Sequence, residues 1–153
     1  MTPQQLREEI AIELELIEAI VAEVASLSSD LKARTPTLRE QTAAAAFLAQ
    51  FYSGVENILK RIHRFYDVPS PSGDSWHIEI FRRFCAPGFP PLPVLFDSNL
   101  STALAPFRKF RHVVYHSYGF QLDWERMREG IATVGDIYDR LKQVLANHLN
   151  QLE

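Results

Sequence analysis

From Thr37 to Phe65 the chain reads TLREQTAAAAFLAQFYSGVENILKRIHRF, and this stretch decides the fold class. Thr37 and Glu40 stand three apart ahead of an alanine run. That is the spacing of a capping box, in which a hydroxyl and a carboxylate each accept a hydrogen bond from a free backbone N–H of the first helical turn. Beyond it Phe47, Phe51, Val55, Ile58, Ile62 and Phe65 recur every three or four residues, so they line one face of a helix rather than alternate across a strand. The helix ends before Val68-Pro69, because proline lacks the N–H and disfavours helical geometry in the residue ahead of it.

A helix with such a stripe must bury it against other elements, and the chain supplies them. Upstream, Leu6, Ile10, Ile17, Val21, Val24 and Leu27 repeat near the helical period with Glu8, Glu9, Glu13, Glu15, Glu18 and Glu23 between them, predicting a helix from Leu6 to Leu31. Downstream, Pro69-Ser70-Pro71-Ser72-Gly73 and Ala86-Pro87-Gly88-Phe89-Pro90-Pro91-Leu92-Pro93 break the pattern and leave at most a short helix between Ser75 and Cys85. Trp76, Ile78, Ile80, Phe81, Phe84, Phe89, Leu92, Leu95 and Phe96 make this excursion too apolar for a tether, so it folds back over part of the core. A further helix runs from Ser98 or Ser101 to Tyr118, with Leu104, Phe107, Phe110 and Val114 facing inward and Gly119 at its C-terminal end. Asp123 caps the last helix, whose stripe is Trp124, Met127, Ile131, Val134, Ile137, Tyr138, Leu141, Leu145 and Leu149. The expectation is one all-α domain over residues 1–153, an up-and-down bundle of four long helices plus a short helix in a Pro-rich excursion.

A chain of 153 residues with 46% hydrophobic and 23% charged residues suits a single core. The net charge of -3 argues against a protein that coats nucleic acid by bulk electrostatics, so any RNA contact is local. Lys60, Arg61, Arg64, Arg82, Arg83, Arg108, Lys109 and Arg111 fall in the middle of the chain, either as a positive groove on an acidic body or as solvated helix faces. The single Cys85 has no disulfide partner and no companion for a thiolate metal cluster, and is expected to be a buried, inert thiol. The short apolar runs and the N-terminus, which lacks a basic start, predict a cytoplasmic protein without a membrane span.

The residues that carry chemistry are in Arg111-His112-Val113-Val114-Tyr115-His116-Ser117-Tyr118, a cation, a proton shuttle and a phenol near a helix end. Cutting RNA without a metal needs a base for the ribose 2′-OH, an acid for the leaving 5′-oxygen and a cation on the phosphate, tasks that suit histidine and arginine. Five residues on a helix turn through about 140° net, so Arg111 and His116 do not share a face, whereas Arg111 and Tyr118 nearly do. A two-fold dimer would bring two arginines and two histidines into one cleft. Each residue also has an ordinary role open to it: His116 against the helix dipole, Arg111 in a surface ion pair, Tyr118 at the edge of the core. His112, four residues before His116, is a second proton carrier, an RNA contact or a solvated side chain, and Arg108 and Lys109 are further candidate RNA contacts. His63 and His77 stand in other segments with no partner at ligand spacing, so no metal and no cofactor is expected.

At these residues the chain resembles the HEPN superfamily, specifically the HepT-like ribonuclease toxins, whose motif is arginine, a polar residue, three further residues, histidine, any residue, tyrosine. Gly54-Val55-Glu56-Asn57-Ile58-Leu59-Lys60-Arg61-Ile62 and Ser72-Gly73-Asp74-Ser75-Trp76-His77 are similar to the same group. The second motif position there is usually asparagine or aspartate, and this chain has His112. The resemblance implies a helical homodimer with a composite cleft and metal-independent cleavage of RNA, tRNA or mRNA, with Arg111 and His116 as the catalytic pair. It also implies a minimal nucleotidyltransferase (MNT) antitoxin that transfers AMP onto Tyr118, in a type VII toxin–antitoxin system. The alternative is a non-catalytic helical module, for protein interaction or nucleotide binding, that partners a nucleotidyltransferase.

Overall fold

The computed structural model describes residues 1–116 and 123–153. Ser117, Tyr118 and Gly119 lie outside the described residues. The helices are α1 (Pro3–Asp30), α2 (Leu38–Phe65), α3 (Trp76–Arg82), α4 (Ser98–His116) and α5 (Trp124–Asn150). The all-α expectation holds: four long helices form the bundle and α3 lies in the Pro-rich excursion.

α1 begins a turn earlier than its apolar periodicity predicts. The Gln5 N–H donates to Thr2 Oγ1 at 3.1 Å, and Thr2 N–H donates back to the Gln5 side chain at 2.8 Å, while Pro3 occupies a position that needs no N–H. Thr37 and Glu40 form the predicted reciprocal pair at the start of α2. Asp97 caps α4 by accepting from Leu100 N–H at 2.7 Å, and Asp123 caps α5 by accepting from Glu125 and Arg126.

Glu9 near the start of α1 pairs with Arg61 and Arg64 at the end of α2, and Arg7 donates to the carbonyls of Leu149, in the last turn of α5, and Leu152 just beyond it. Both α2 and α5 therefore run antiparallel to α1. α2 packs against each of the other four helices and contributes Leu48, Phe51, Tyr52, Val55, Ile58, Leu59 and Ile62 to the core. Gly54 allows the α1–α2 approach, since a Cβ there would lie 2.5 Å from Ile17 Cγ1.

The excursion folds back as its apolar content requires. Leu95 and Phe96 N–H both donate to the Phe84 carbonyl, at 2.9 and 3.0 Å, and Phe81 stacks on Phe96 with centroids 5.0 Å apart. This ties the loop back to α3, which itself packs on α2 through Phe81 and Tyr52. Cys85 is half-buried rather than fully enclosed, with Sγ 3.5 Å from the Phe81 carbonyl. No described helix is long and apolar enough to cross a membrane.

Candidate active site

α4 presents its polar residues on two faces, as the angular offset between Arg111 and His116 requires. Lys109, His112 and His116, spaced three and four apart, are exposed, and the two imidazoles lie 4.5 Å apart between centroids. Arg108 and Arg111 are only partly exposed and face α2 and α3. The Arg108 guanidinium lies 5.5 Å from the Phe81 ring centroid, a cation–π contact. Among the described residues no hydrogen bond, ion pair or ring contact joins Arg111 to His116. Tyr118, the remaining member of the motif, falls outside the described residues.

Arg111 is instead held by partners from the two stretches quoted above. Glu56, on the buried stripe of α2 and 1% exposed, has Oε1 2.8 Å from Arg111 Nε and Oε2 2.5 Å from His77 Nδ1. The Arg111 Nε–H is directed at Ser53 Oγ, 3.1 Å away, so its contact with Oε1 is electrostatic rather than an aligned hydrogen bond. Arg111 Nη1 donates to His77 Nε2 at 3.3 Å. An ionised carboxylate can only accept and a guanidinium can only donate, which assigns the neutral Nδ1–H tautomer to His77. Glu56 thus holds both a cation and an imidazole at the start of α3.

Aromatic rings frame this cluster. The Trp76 ring lies tilted against His77 with centroids 3.4 Å apart, and Lys60 Nζ sits 4.4 Å from the Trp76 ring centroid. The Arg111 guanidinium lies 5.0 Å from the Tyr115 ring centroid and 5.9 Å from that of Trp76. One turn before Glu56, Tyr52 is fully buried; burial first and the Glu56 charge second push its phenol well above the ordinary range, so it stays protonated.

The positive groove is smaller than the sequence suggests. Arg61 and Arg64 are neutralised by Glu9 and Glu13, Arg83 lies 3.5 Å from Glu79, and Arg111 is balanced by Glu56. Lys60, Arg82 and Lys109 remain exposed, and Arg108, next to Lys109 in sequence, is half-buried.

Sequence reasoning missed His77 and Glu56 as site residues. In the sequence His77 stands in a segment of its own, whereas the fold of the excursion brings it to Arg111 from thirty-four positions away. The available signal was Glu56 itself: a carboxylate on the inward stripe of a helix, between Val55 and Leu59, requires a buried partner.

A family model described as HepT-like protein matches residues 43–152. No curated protein and no solved structure matches the chain. The matched span runs from the second turn of α2 through α5, and so contains Glu56, His77, Arg111 and His116.

Proposed function

The chain belongs to the HepT-like proteins of the HEPN superfamily, and on that premise we propose that it is a metal-independent endoribonuclease toxin. The observation that carries the reading is the placement of Arg111. It is buttressed by a buried carboxylate at the edge of an open face, within the same last turns of α4 as the exposed imidazoles of His112 and His116. Arg111 grips the non-bridging phosphate oxygens and stabilises the charge that builds there. The ribose 2′-oxygen attacks phosphorus as its proton leaves to an imidazole; the P–O5′ bond breaks and the 5′-oxygen takes a proton from His116. The products are a 2′,3′-cyclic phosphate and a 5′-hydroxyl.

Because Arg111 and His116 point from different sides of α4, the complete site is composite, formed by two copies of the chain around one RNA strand. The proposed antitoxin partner, an MNT-type nucleotidyltransferase, transfers AMP from ATP to the Tyr118 hydroxyl, which loses its proton and displaces pyrophosphate as the O–P bond forms. The added negative charge and bulk at the cleft then exclude a phosphodiester.

The Glu56–Arg111 pair also favours a second reading, in which Arg111 is a structural pin in a non-catalytic module that binds the nucleotidyltransferase. Expression in a bacterium with and without that partner separates the two. Growth arrest with new 5′-hydroxyl RNA ends, lost in Arg111→Ala and His116→Ala, is expected of the nuclease. Intact RNA alongside a stable complex with the partner would establish the module instead.

A further inference from the structure

Building on the nuclease reading above, we propose that His77, which lies outside the Arg–His–Tyr motif, is the general base of the reaction, leaving His116 as the acid. Its Nδ1–H is tied to Glu56 Oε2 at 2.5 Å, so the lone pair on Nε2 is the basic one. A buried carboxylate on the far nitrogen also stabilises the imidazolium that forms when Nε2 gains a proton. This is the same division of labour that orients a catalytic imidazole in hydrolytic triads. The side chain is 27% exposed, so the ring is partly open to solvent beside Arg111.

Nε2 is occupied by Arg111 Nη1 at 3.3 Å, at the long end of the hydrogen-bond range. An anionic phosphate oxygen is a far better acceptor for a guanidinium than a neutral imidazole is. A phosphodiester that draws Arg111 toward itself therefore uncovers Nε2 next to the phosphate, where the attacking 2′-hydroxyl must stand. In the step, Nε2 takes the 2′-OH proton as the O2′–P bond forms. The P–O5′ bond breaks, and the leaving 5′-oxygen receives its proton from His116. His77 then returns its proton to solvent, and His116 takes one from it. Glu56 from α2 and Arg111 from α4 contact His77 directly, the Trp76 ring lies tilted against it with Lys60 from α2 over that ring, and Tyr115 from α4 lies beside Arg111.

The test is single-turnover cleavage of an RNA oligonucleotide by the full chain and its His77→Gln variant across pH, beside affinity for the same oligonucleotide with 2′-deoxy substitutions that block cleavage. The variant is expected to lose about 100-fold or more in rate, to retain its affinity, and to lose the acidic limb of the pH–rate profile, which reports a base that must be unprotonated. A variant that keeps the acidic limb, or whose rate falls only in proportion to its affinity, overturns the role of His77 and leaves the nuclease reading standing. Wild-type protein that leaves every RNA intact overturns both. Should His77→Gln fail to fold, the imidazole signals of His77 in the wild type are followed by NMR as the 2′-deoxy oligonucleotide is added. A bound complex that leaves those signals unmoved rejects the assignment.

Discussion

His63 and His77 are each hydrogen-bonded through Nδ1 to an acceptor on α2, and each is faced at Nε2 by an arginine Nη1 3.3 Å away. The acceptor for His63 is the Leu59 carbonyl of its own helix, while for His77 it is the Glu56 carboxylate. His63 is fully buried against Phe84, and its arginine, Arg83, also donates to the Pro69 carbonyl at 2.9 Å, tying the end of α2 to the excursion. His77 sits at the rim with its ring partly open. The same pairing of side chains thus serves as a structural clasp where a neutral carbonyl and apolar walls surround it. Where a buried charge backs it at the surface, it becomes a candidate for proton transfer.

The largest effect expected from breaking this comparison is on catalysis. Arg111→Lys, which loses the planar fork that can hold two phosphate oxygens at once, is expected to reduce RNA cleavage by about 100-fold or more. Arg83→Lys keeps a charge beside the Pro69 carbonyl and is expected to leave cleavage within about twofold, since its clasp touches no substrate in this reading. Comparable losses from both substitutions, measured as initial rates on one RNA, would erase the distinction between the pairs.

The next effect is on stability. Glu56→Leu removes the charge that holds both Arg111 and His77 and leaves a partly buried guanidinium uncompensated, at a cost of about 3 kcal/mol in urea denaturation. A loss that small surface pairs give, well under about 1 kcal/mol, would mean that Glu56 is not the anchor of the cluster. Gly54→Ala separates this from general loosening of α2: it forces Ile17 aside with both histidine pairs in place, and is expected to cost about 2 kcal/mol with cleavage largely retained.

The fold was largely readable because its signals are local. Capping boxes span four residues, apolar stripes repeat within a turn, and Asp123 precedes its own helix. The start of α1 escapes the apolar periodicity for a matching reason: Thr2 and Gln5 carry the cap, and neither belongs to the apolar stripe. The site was half readable. Arg111, His112 and His116 are close in sequence, so their faces on α4 follow from helical geometry alone. The Glu56–His77–Arg111 cluster depends on how the Pro-rich excursion closes over α2, which is set by Phe81, Phe84 and Phe96 packing and by the Phe84 carbonyl. No spacing rule encodes that closure. A polar residue on an inward stripe was the one sign of it, and Glu56, Glu13 and His63 all carry that sign.

The smallest effect in the set concerns His63 and the pH dependence of folding. Burial holds its imidazole below the ordinary histidine value, the bond to the Leu59 carbonyl opposes this, and the Arg83 charge adds to the depression. The unfolded chain titrates near the ordinary value, about 6.5, so just below that pH it binds a proton that the folded chain refuses. The stability contributed by neutral His63 is therefore present above about pH 6.5 and is lost as pH falls through the folded value. His148, also depressed by burial and hydrogen-bonded to Tyr66, acts in the same direction. Glu9 and Glu40 are held below the carboxylate range by arginine partners, and their contributions erode only below about pH 4.5, outside this window. The urea midpoint should consequently fall between about pH 7.5 and pH 5.5, and His63→Gln should flatten part of that slope, with His148→Gln removing a further share. A slope unchanged by His63→Gln would show that this imidazole accepts its proton without leaving its place, and the contrast between a sealed clasp and an open one would lose its physical basis.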